Sequence, residues 1–187
     1  MRATNAAAKV RYHINNMTES ESSKPGPGTP AHYASLDAAR ETAWAILADG
    51  AENRRVPAHT PTLATIGTNG APRMRTVVLR GFDQTSRQVW FHTDRRSGKI
   101  NEMRADPRAA LHVYDPQQKV QMQIDGRVHL HMDDPLAQQA WQQTQAMSRI
   151  TYQVTRAPGT VIDSPLDATQ DATINGGGSE NFLVATL

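Results

Sequence analysis

Residues 71–83 read APRMRTVVLRGFD, and residues 89–99 read VWFHTDRRSGK. Both segments carry apolar runs typical of β-strands, with Arg or Lys residues near their ends. Ser97 and Lys99 stand where a short helix is predicted to begin. A helix N-terminus offers free backbone N–H groups and the positive end of the helix dipole, to which Arg and Lys add donors and charge. This stretch therefore predicts a phosphate-binding site.

The flanking sequence predicts a mainly β, antiparallel domain. The Asn69-Gly70 pair readily takes the positive φ of a hairpin turn, which places two antiparallel strands around it. Six strands are predicted, at residues 61–67, 73–80, 88–93, 109–114, 119–131 and 181–187. Helices are predicted at residues 35–50, 97–105 and 133–147. Short antiparallel strands with few helices indicate a small barrel with flanking helices.

Composition divides the 187-residue chain into a tail and one domain. Residues 18–30 read TESESSKPGPGTP, a composition that buries too little apolar surface to offset the entropy of ordering. We therefore expect residues 1–30 to be disordered and residues 31–187 to form the domain. The last predicted strand reaches Leu187, so either this strand closes the sheet or the chain is truncated there.

Bulk properties exclude several classes of function. Net charge is only +2, which gives no reason to expect nucleic-acid binding. There is no cysteine, so disulfides, thiolate catalysis and cysteine-based metal sites are excluded. No apolar run approaches the roughly 20 residues of a membrane span, and no secretory signal is visible. We expect a cytoplasmic protein that acts on a small molecule, without a nucleic-acid or membrane partner.

Residue spacing alone leaves two sites open. On one regular strand, Arg73 and Arg75 share a face and Arg80 lies on the other, so one ligand reaches all three only if the strand twists, bulges or ends near Arg80. Otherwise these arginines are solvated. His129 and His131 share a strand face and could form a metal pair. No third ligand stands at a suitable spacing, so exposed strand histidines are the better interpretation and we expect no metal.

The order of motifs across residues 61–160 resembles the pyridoxamine 5′-phosphate oxidase-like FMN-binding split barrels. The sequences RTVVLRG and FHTDRRS are typical of a less characterised branch of that family, not of the oxidase itself. The resemblance implies a six-stranded antiparallel split β-barrel with flanking helices. It also implies FMN as cofactor and a homodimer with FMN at the subunit interface.

Candidate cofactor-binding residues follow from the same resemblance. The segment from Arg75 to Arg80 would line the FMN, with Arg75 on its phosphate or ribityl side, and Ser97 and Lys99 would hold the phosphate. Gly98 replaces an arginine of the family's phosphate-binding triplet, and Arg95 or Arg96 could compensate for it from a neighbouring position. The full set is Arg75, Thr76, Val77, Val78, Leu79, Arg80, His92, Thr93, Arg96, Ser97, Gly98, Lys99 and Gln121.

The expected function is that of an FMN-dependent oxidoreductase with an unknown small-molecule substrate. Residues 141–148 read WQQTQAMS and lack the tyrosine and arginine that hold the substrate phosphate in the oxidase. The resemblance therefore favours FMN binding more than pyridoxamine phosphate oxidation, and it assigns no catalytic residue. The alternatives are a non-catalytic flavin- or haem-binding protein and an inactive truncated homologue.

Overall fold

The chain folds into two antiparallel β-sheets with helices around them. The structure, a computed structural model, describes residues 9–13, 30–164, 166 and 177–187. One sheet has five strands in the order β1-β7-β6-β2-β3, and the other has four in the order β4-β5-β9-β8. The strands are Lys9–His13 (β1), Thr62–Ile66 (β2), Pro72–Thr76 (β3), Leu79–Asp83 (β4), Gln88–Asp94 (β5), Arg108–Asp115 (β6), Val120–Arg127 (β7), His129–His131 (β8) and Phe182–Thr186 (β9).

Four α-helices flank the sheets in the described part of the chain: Leu36–Glu52 (α1), Gly98–Ala105 (α2), Pro135–Gln143 (α3) and Ala146–Arg149 (α4). Ser35 caps α1 by accepting a hydrogen bond from the backbone N–H of Ala38 at 3.0 Å. The predicted helix at residues 133–147 is two helices, because Thr144 ends α3 and α4 begins at Ala146.

The predicted mainly β, antiparallel class is confirmed, but six strands are not. The segment predicted as one strand at residues 73–80 is β3 and β4, which lie in different sheets. The segment at residues 119–131 is likewise β7 and β8. Both Val77 and Leu79 are buried in the core, since the chain crosses between sheets there.

β1 lies within the segment predicted to be disordered. Its residues Lys9–His13 pair antiparallel with β7, so for these five residues the prediction differs from the structure. An edge strand is held on one side by backbone hydrogen bonds to its neighbour, and these bonds do not depend on its side-chain composition. The remainder of the predicted tail, up to residue 29, lies outside the described residues, and the boundary at residue 30 stays a prediction.

The main core lies between the two sheets. β9 lies between β5 and β8, and all its residues are buried. Phe91 and Leu183 face this core from the four-stranded sheet, and Leu63 and Leu111 face it from the five-stranded sheet.

A smaller aromatic cluster on the outer face of the four-stranded sheet contains Tyr152, Phe182 and Val184, against which Trp90 and Trp141 pack. Among the described residues, no helix is long and apolar enough to cross a membrane.

Candidate functional site

A polar cluster lies at the N-terminus of α2. Lys99 donates hydrogen bonds from Nζ to Oγ1 of Thr93 at 2.9 Å and to Oγ of Ser97 at 2.7 Å. We call Thr93, Ser97 and Lys99 the α2 cluster. Burial, followed by the positive charge of Arg75, lowers the pKa of Lys99. The predicted grouping of these three residues is thus present in the fold, with an ammonium group held between two hydroxyls.

The start of α2 keeps its donors available. Ser97 is the N-cap residue, but its side chain makes no capping hydrogen bond. The first backbone N–H groups of a helix have no partner within the helix, so those of Gly98 and Lys99 can meet an anion, whereas that of Ile100 donates to the carbonyl of Ser97 at 2.9 Å. A Cβ atom added to Gly98 would meet no atom within 4 Å. Open space therefore lies beside the cluster where the family has an arginine.

Arg75 lies next to the α2 cluster but has a carboxylate partner. Its Nη2 lies 2.6 Å from Oε2 of Glu102 on α2, and its Nη1 donates to Oγ1 of Thr65. Only 14% of the Glu102 side chain is exposed. Together with Lys99, Arg75 makes the surroundings of this carboxylate cationic.

Arg96 is engaged away from the α2 cluster. Its Nη2 donates to Oδ2 of Asp94 at 2.6 Å, and its Nη1 donates to the carbonyl of Val154 at 3.0 Å. To compensate for the missing arginine at Gly98, as the sequence suggested, Arg96 would have to leave these partners. Its role as a phosphate ligand stays a prediction.

Two other predicted residues, Arg80 on β4 and His92 on β5, lie on the opposite side of the four-stranded sheet from the core, which Leu79 faces. Thr93 faces the core beside Leu183, whereas His92 pairs with Val184 and faces outward. The ladder between β4 and β5 shifts register between Leu79 and Gly81, which is an irregularity at Arg80. Arg80 and His92 thus belong to a second group of predicted residues.

This second group lines a cavity of about 370 Å³ next to α1, which we call the α1 cavity. Its walls are the end of α1, the outer face of β4 and β5, and the segment that joins α3 to α4. The lining residues are Ala51, Glu52, Arg54, His59, Arg80, Trp90, His92, Ala140, Gln143, Thr144, Gln145 and Ser148.

The electrostatics of the α1 cavity are set by Arg80 and His92. Burial, followed by the charge of Arg80, lowers the pKa of His92 to about 4, so its ring is neutral at pH 7. Arg80 makes no hydrogen bond to any residue in the described ranges. A cation without a carboxylate partner beside a neutral aromatic ring favours an anionic ligand.

Trp90 fits this cavity wall only because residue 81 is glycine. A Cβ atom at Gly81 would lie 1.8 Å from Cζ2 of Trp90. The indole therefore covers the backbone of β4, and the close approach fixes the position of the ring in the wall. Trp90 contacts both the cavity and the aromatic cluster.

Two residues of the α1 cavity were missed from the sequence. Arg54 donates from Nη2 to Oε1 of Gln145 at 2.7 Å, which links the end of α1 to the start of α4. His59 is 8% exposed, and its Nδ1 lies 2.8 Å from the carbonyl oxygen of Gly50. Arg54 lies in a turn after α1 and His59 ends a short 3-10 helix, Pro57–His59, and neither segment has a recognisable motif, so their approach to β4 and α4 is a product of tertiary structure.

Gln121 lies far from the other candidates within one chain. It is exposed on β7, where it pairs with Tyr114 of β6. β7 is separated from β3 by β6 and β2, which at the usual strand spacing is about 14 Å.

Metal binding by His129 and His131 was the other site that residue spacing left open. His131 contacts Asp134 at 2.9 Å and Thr186 at 3.3 Å, and no group of three or more metal-ligating side chains occurs among the described residues.

Comparison with known proteins supports this interpretation of the motifs. Residues 41–132 match the family model described as pyridoxamine 5′-phosphate oxidase, FMN-binding domain. This part of the chain is similar to that domain, and the predicted cofactor, FMN, is confirmed at the level of the family domain.

Curated relatives match part of the chain. The pyridoxine/pyridoxamine 5′-phosphate oxidase 2 of Arabidopsis thaliana is 36% identical over 115 residues, 58% of this chain and 58% of that protein. The pyridoxine/pyridoxamine 5′-phosphate oxidase of Cupriavidus pinatubonensis is 41% identical over 73 residues, 39% of this chain and 34% of that protein. The chain thus spans less than two thirds of the length of these relatives.

Solved structures share the fold. A pyridoxamine 5′-phosphate oxidase-related, FMN-binding protein from Nostoc punctiforme has a TM-score of 0.62 at 24% identity and covers 79% of both chains. PhzG from Burkholderia lata has a TM-score of 0.56 at 17% identity, with 84% of this chain and 76% of that chain covered. At these identities, the likeness establishes the architecture of two antiparallel sheets with flanking helices.

The residues present fit the phosphate of FMN. The α2 cluster combines an ammonium group, two hydroxyls and a helix N-terminus, which is the donor set that a phosphate monoester requires. The open space at Gly98 leaves room beside it. The carboxylate of Glu102 reduces the net positive charge there.

Proposed function

We propose that this chain is an FMN-dependent oxidoreductase, related to pyridoxamine 5′-phosphate oxidase, that acts on an anionic small molecule. The α2 cluster, within a segment that matches an FMN-binding domain, is the observation that carries this proposal. When bound, FMN supplies the electron transfer, while the protein binds, orients and shields the reactants.

The α2 cluster holds the phosphate in this proposal. Lys99 supplies a point charge, and Ser97 and Thr93 supply hydroxyl donors. All three are already ordered around the Nζ atom of Lys99, so little side-chain entropy is lost on binding. Arg75 supports the phosphate from the edge of the site, because Glu102 and Thr65 hold its guanidinium.

We assign the substrate to the α1 cavity. A volume of about 370 Å³ suits a small molecule. Arg80 attracts an anionic group, and the rings of Trp90 and His92 offer flat walls for a planar ligand. Because residues 141–148 lack the tyrosine and arginine of the oxidase, the cavity does not reproduce that enzyme's phosphate site.

We further propose a homodimer in which the two subunits share each FMN site. Gln121 lies on β7, about 14 Å from β3 across the sheet, and within one chain it is remote from the α2 cluster. A second copy that packs against the five-stranded sheet would bring its own Gln121 to a ligand held by that cluster. The exposed side chains of Met74 (68%) and Tyr114 (51%) on this sheet offer apolar surface for such packing.

Absorbance spectroscopy of the purified protein tests the proposal first, with FMN added back and free flavin removed. The bands of bound oxidised flavin in a stoichiometric amount are the expected result. Bleaching of these bands by NADH or NADPH under anaerobic conditions, with reoxidation by an acceptor, distinguishes an oxidoreductase from a non-catalytic flavin carrier. A protein that binds no FMN at high micromolar concentration would refute the proposed function.

A further inference from the structure

We infer that His59 selects the ligand of the α1 cavity. In this inference, Nε2 of His59 accepts a hydrogen bond from an N–H or O–H group of a ligand whose anionic group lies at Arg80. The inference rests on the proposed function, because it takes the α1 cavity as the substrate site. It adds a specificity-determining residue and a required chemical feature of the substrate.

The tautomer of His59 follows from its partner. A backbone carbonyl oxygen can only accept, so the 2.8 Å contact with Gly50 requires the proton on Nδ1. In the neutral imidazole, Nε2 then carries a lone pair and acts as an acceptor. The backbone next to His59 is held against α1, because Gly50 and Ala58 are in such close contact that a Cβ at Gly50 would lie 2.7 Å from the Ala58 carbonyl carbon.

The acceptor atom is accessible from the cavity. Within the described ranges, the buried side-chain N and O atoms that lack a hydrogen-bond partner are Nε of Arg149 and Oε1 of Gln153. Nε2 of His59 is not one of them, and it has no partner among these residues either. It therefore meets open space, and His59 is part of the α1 cavity lining.

Several other polar groups in the cavity cannot replace this acceptor, whereas His92, Gln143, Thr144 and Ser148 can also accept, and the His59→Asn variant separates His59 from them. Arg80 and Arg54 only donate. Oε1 of Gln145 already accepts from Arg54 at 2.7 Å. Glu52 can accept, but it lies exposed at the rim, where water competes. A ligand without a donor would leave Nε2 of His59 desolvated and unpaired, and such ligands bind more weakly.

Paired small acids provide the test. We would titrate the FMN-loaded protein with 2-, 3- and 4-hydroxybenzoate and with the corresponding methoxybenzoates by calorimetry. The benzoate ring suits the walls formed by Trp90 and His92, and the carboxylate suits Arg80. At least one hydroxybenzoate should bind roughly tenfold more tightly than its methoxy counterpart, which cannot donate. Phenyl phosphate, titrated alongside, shows whether a phosphate replaces the carboxylate.

Three variants separate the roles. His59→Asn retains a donor for the Gly50 carbonyl but removes the Nε2 acceptor, so the preference for the hydroxybenzoate should fall below twofold. Arg80→Ala should weaken hydroxy and methoxy acids alike. His129→Asn, at an exposed histidine on β8, is the matched control and should retain the full preference. Melting temperatures identify any variant that has simply lost its fold.

Long-range ¹H–¹⁵N spectra of ¹⁵N-histidine-labelled protein test the tautomer without any ligand, with His59 assigned from the His59→Asn spectrum. An Nε2–H tautomer would overturn the inference. So would failure of all the acids to bind, a preference that survives His59→Asn, or an equal loss in His129→Asn. The flavin spectrum of each sample keeps the two proposals apart. If FMN binds normally but the hydroxybenzoates and methoxybenzoates bind equally, only the role of His59 is refuted. If the protein prefers a hydroxybenzoate but binds no FMN, only the flavin function is refuted.

Discussion

Arg75 on β3 and Glu102 on α2 form an ion pair, with Nη2 of Arg75 2.6 Å from Oε2 of Glu102. Thr65 donates to the same oxygen at 2.5 Å. Burial raises the pKa of Glu102, but the hydrogen bonds from Thr65 and Arg75 outweigh it, and the net pKa is lowered. A carboxylate that stays ionised thus lies among the cations proposed to bind the phosphate.

Glu102→Gln should therefore strengthen FMN binding. The amide oxygen can still accept from Arg75, while the negative charge that opposes a phosphate is gone. We expect a gain of about tenfold in affinity, or about 1.4 kcal/mol, measured by quenching of flavin fluorescence. Loss of the ion pair should lower the free energy of unfolding by about 1–3 kcal/mol. Glu41→Gln on the exposed face of α1 is the control, and a weaker Kd in Glu102→Gln would contradict the electrostatic argument.

Arg75→Ala combined with Lys99→Ala should abolish retention of FMN. Each charge-assisted hydrogen bond contributes about 1.5–3 kcal/mol, so the double variant should bind at least a hundredfold more weakly. Equilibrium titration with FMN checks this result. Arg40→Ala, which removes a cation from the exposed face of α1, should bind normally. Unchanged affinity in the double variant would show that the phosphate lies elsewhere.

Gly98→Arg should increase affinity for FMN. Open space surrounds Gly98, so the longer side chain can be accommodated, and its guanidinium would lie at the N-terminus of α2. A gain of about tenfold is expected from one added charge-assisted bond. Any residue other than glycine also lowers the backbone entropy of the unfolded chain. Gly98→Ala measures that effect without the added guanidinium. If both variants bind equally well, the missing arginine is not a phosphate ligand here.

The low pKa of His92 predicts a pH-dependent contribution to stability. In the unfolded chain the ring takes a proton below pH 6.5, whereas in the folded protein it resists protonation down to about pH 4. The unfolded state thus binds more protons in this window, and stability falls as pH decreases through it. Between pH 6.5 and 4, the free energy of unfolding of the wild type should fall by roughly 1–3 kcal/mol relative to that of His92→Phe.

Urea unfolding of wild type and His92→Phe at several pH values measures this difference directly. Above pH 7 the difference in free energy of unfolding between the two proteins should be constant, because His92 is then neutral in both the folded and the unfolded state. An offset that stays constant down to pH 4 would mean that the ring is solvated and not held against Arg80 and Phe182.

Gly81→Ala should disturb the α1 cavity through Trp90. The added methyl group would overlap the indole, so the ring or the strand must move, at a cost of about 1–3 kcal/mol. We expect a red shift of tryptophan emission and weaker binding of small acids, with FMN affinity largely kept. Gly98→Ala is the matched control, since it adds the same methyl group in open space. Wild-type stability in Gly81→Ala would show that Trp90 is free to reorient.

Strand breaks were hidden from sequence analysis because they carry no local signal. Residues 76–79 read TVVL, a sequence as suitable for a strand as its neighbours. The break exists because the chain must cross between sheets there, where the backbone N–H of Val77 donates to the carbonyl of Pro61. Val128 marks the second break in the same way, by donating to Pro107. Two predicted strands become four, and β1 adds another.

Local proximity explains which parts of the site could be predicted. Thr93, Ser97 and Lys99 lie within seven residues of one another, so a strand end and a helix start are enough to bring them together. The partner of Arg75 is 27 residues away, and His59 reaches the cavity only through the packing of its loop on α1. Such contacts depend on the whole fold, and single-sequence patterns do not report them.

The central position of β9 has a consequence for synthesis on the ribosome. β5 pairs with β9 in a register that joins Thr93 to Leu183. β5 therefore cannot form this pairing until about ninety further residues have been synthesised. At translation rates of about 5–20 residues per second, this delay is roughly 5–20 s. Until then the hairpin of β4 and β5 emerges with an unpaired, apolar edge, which is a template for association with other nascent chains. The yield of folded protein should therefore depend on how quickly the segment from β6 to β9 is delivered.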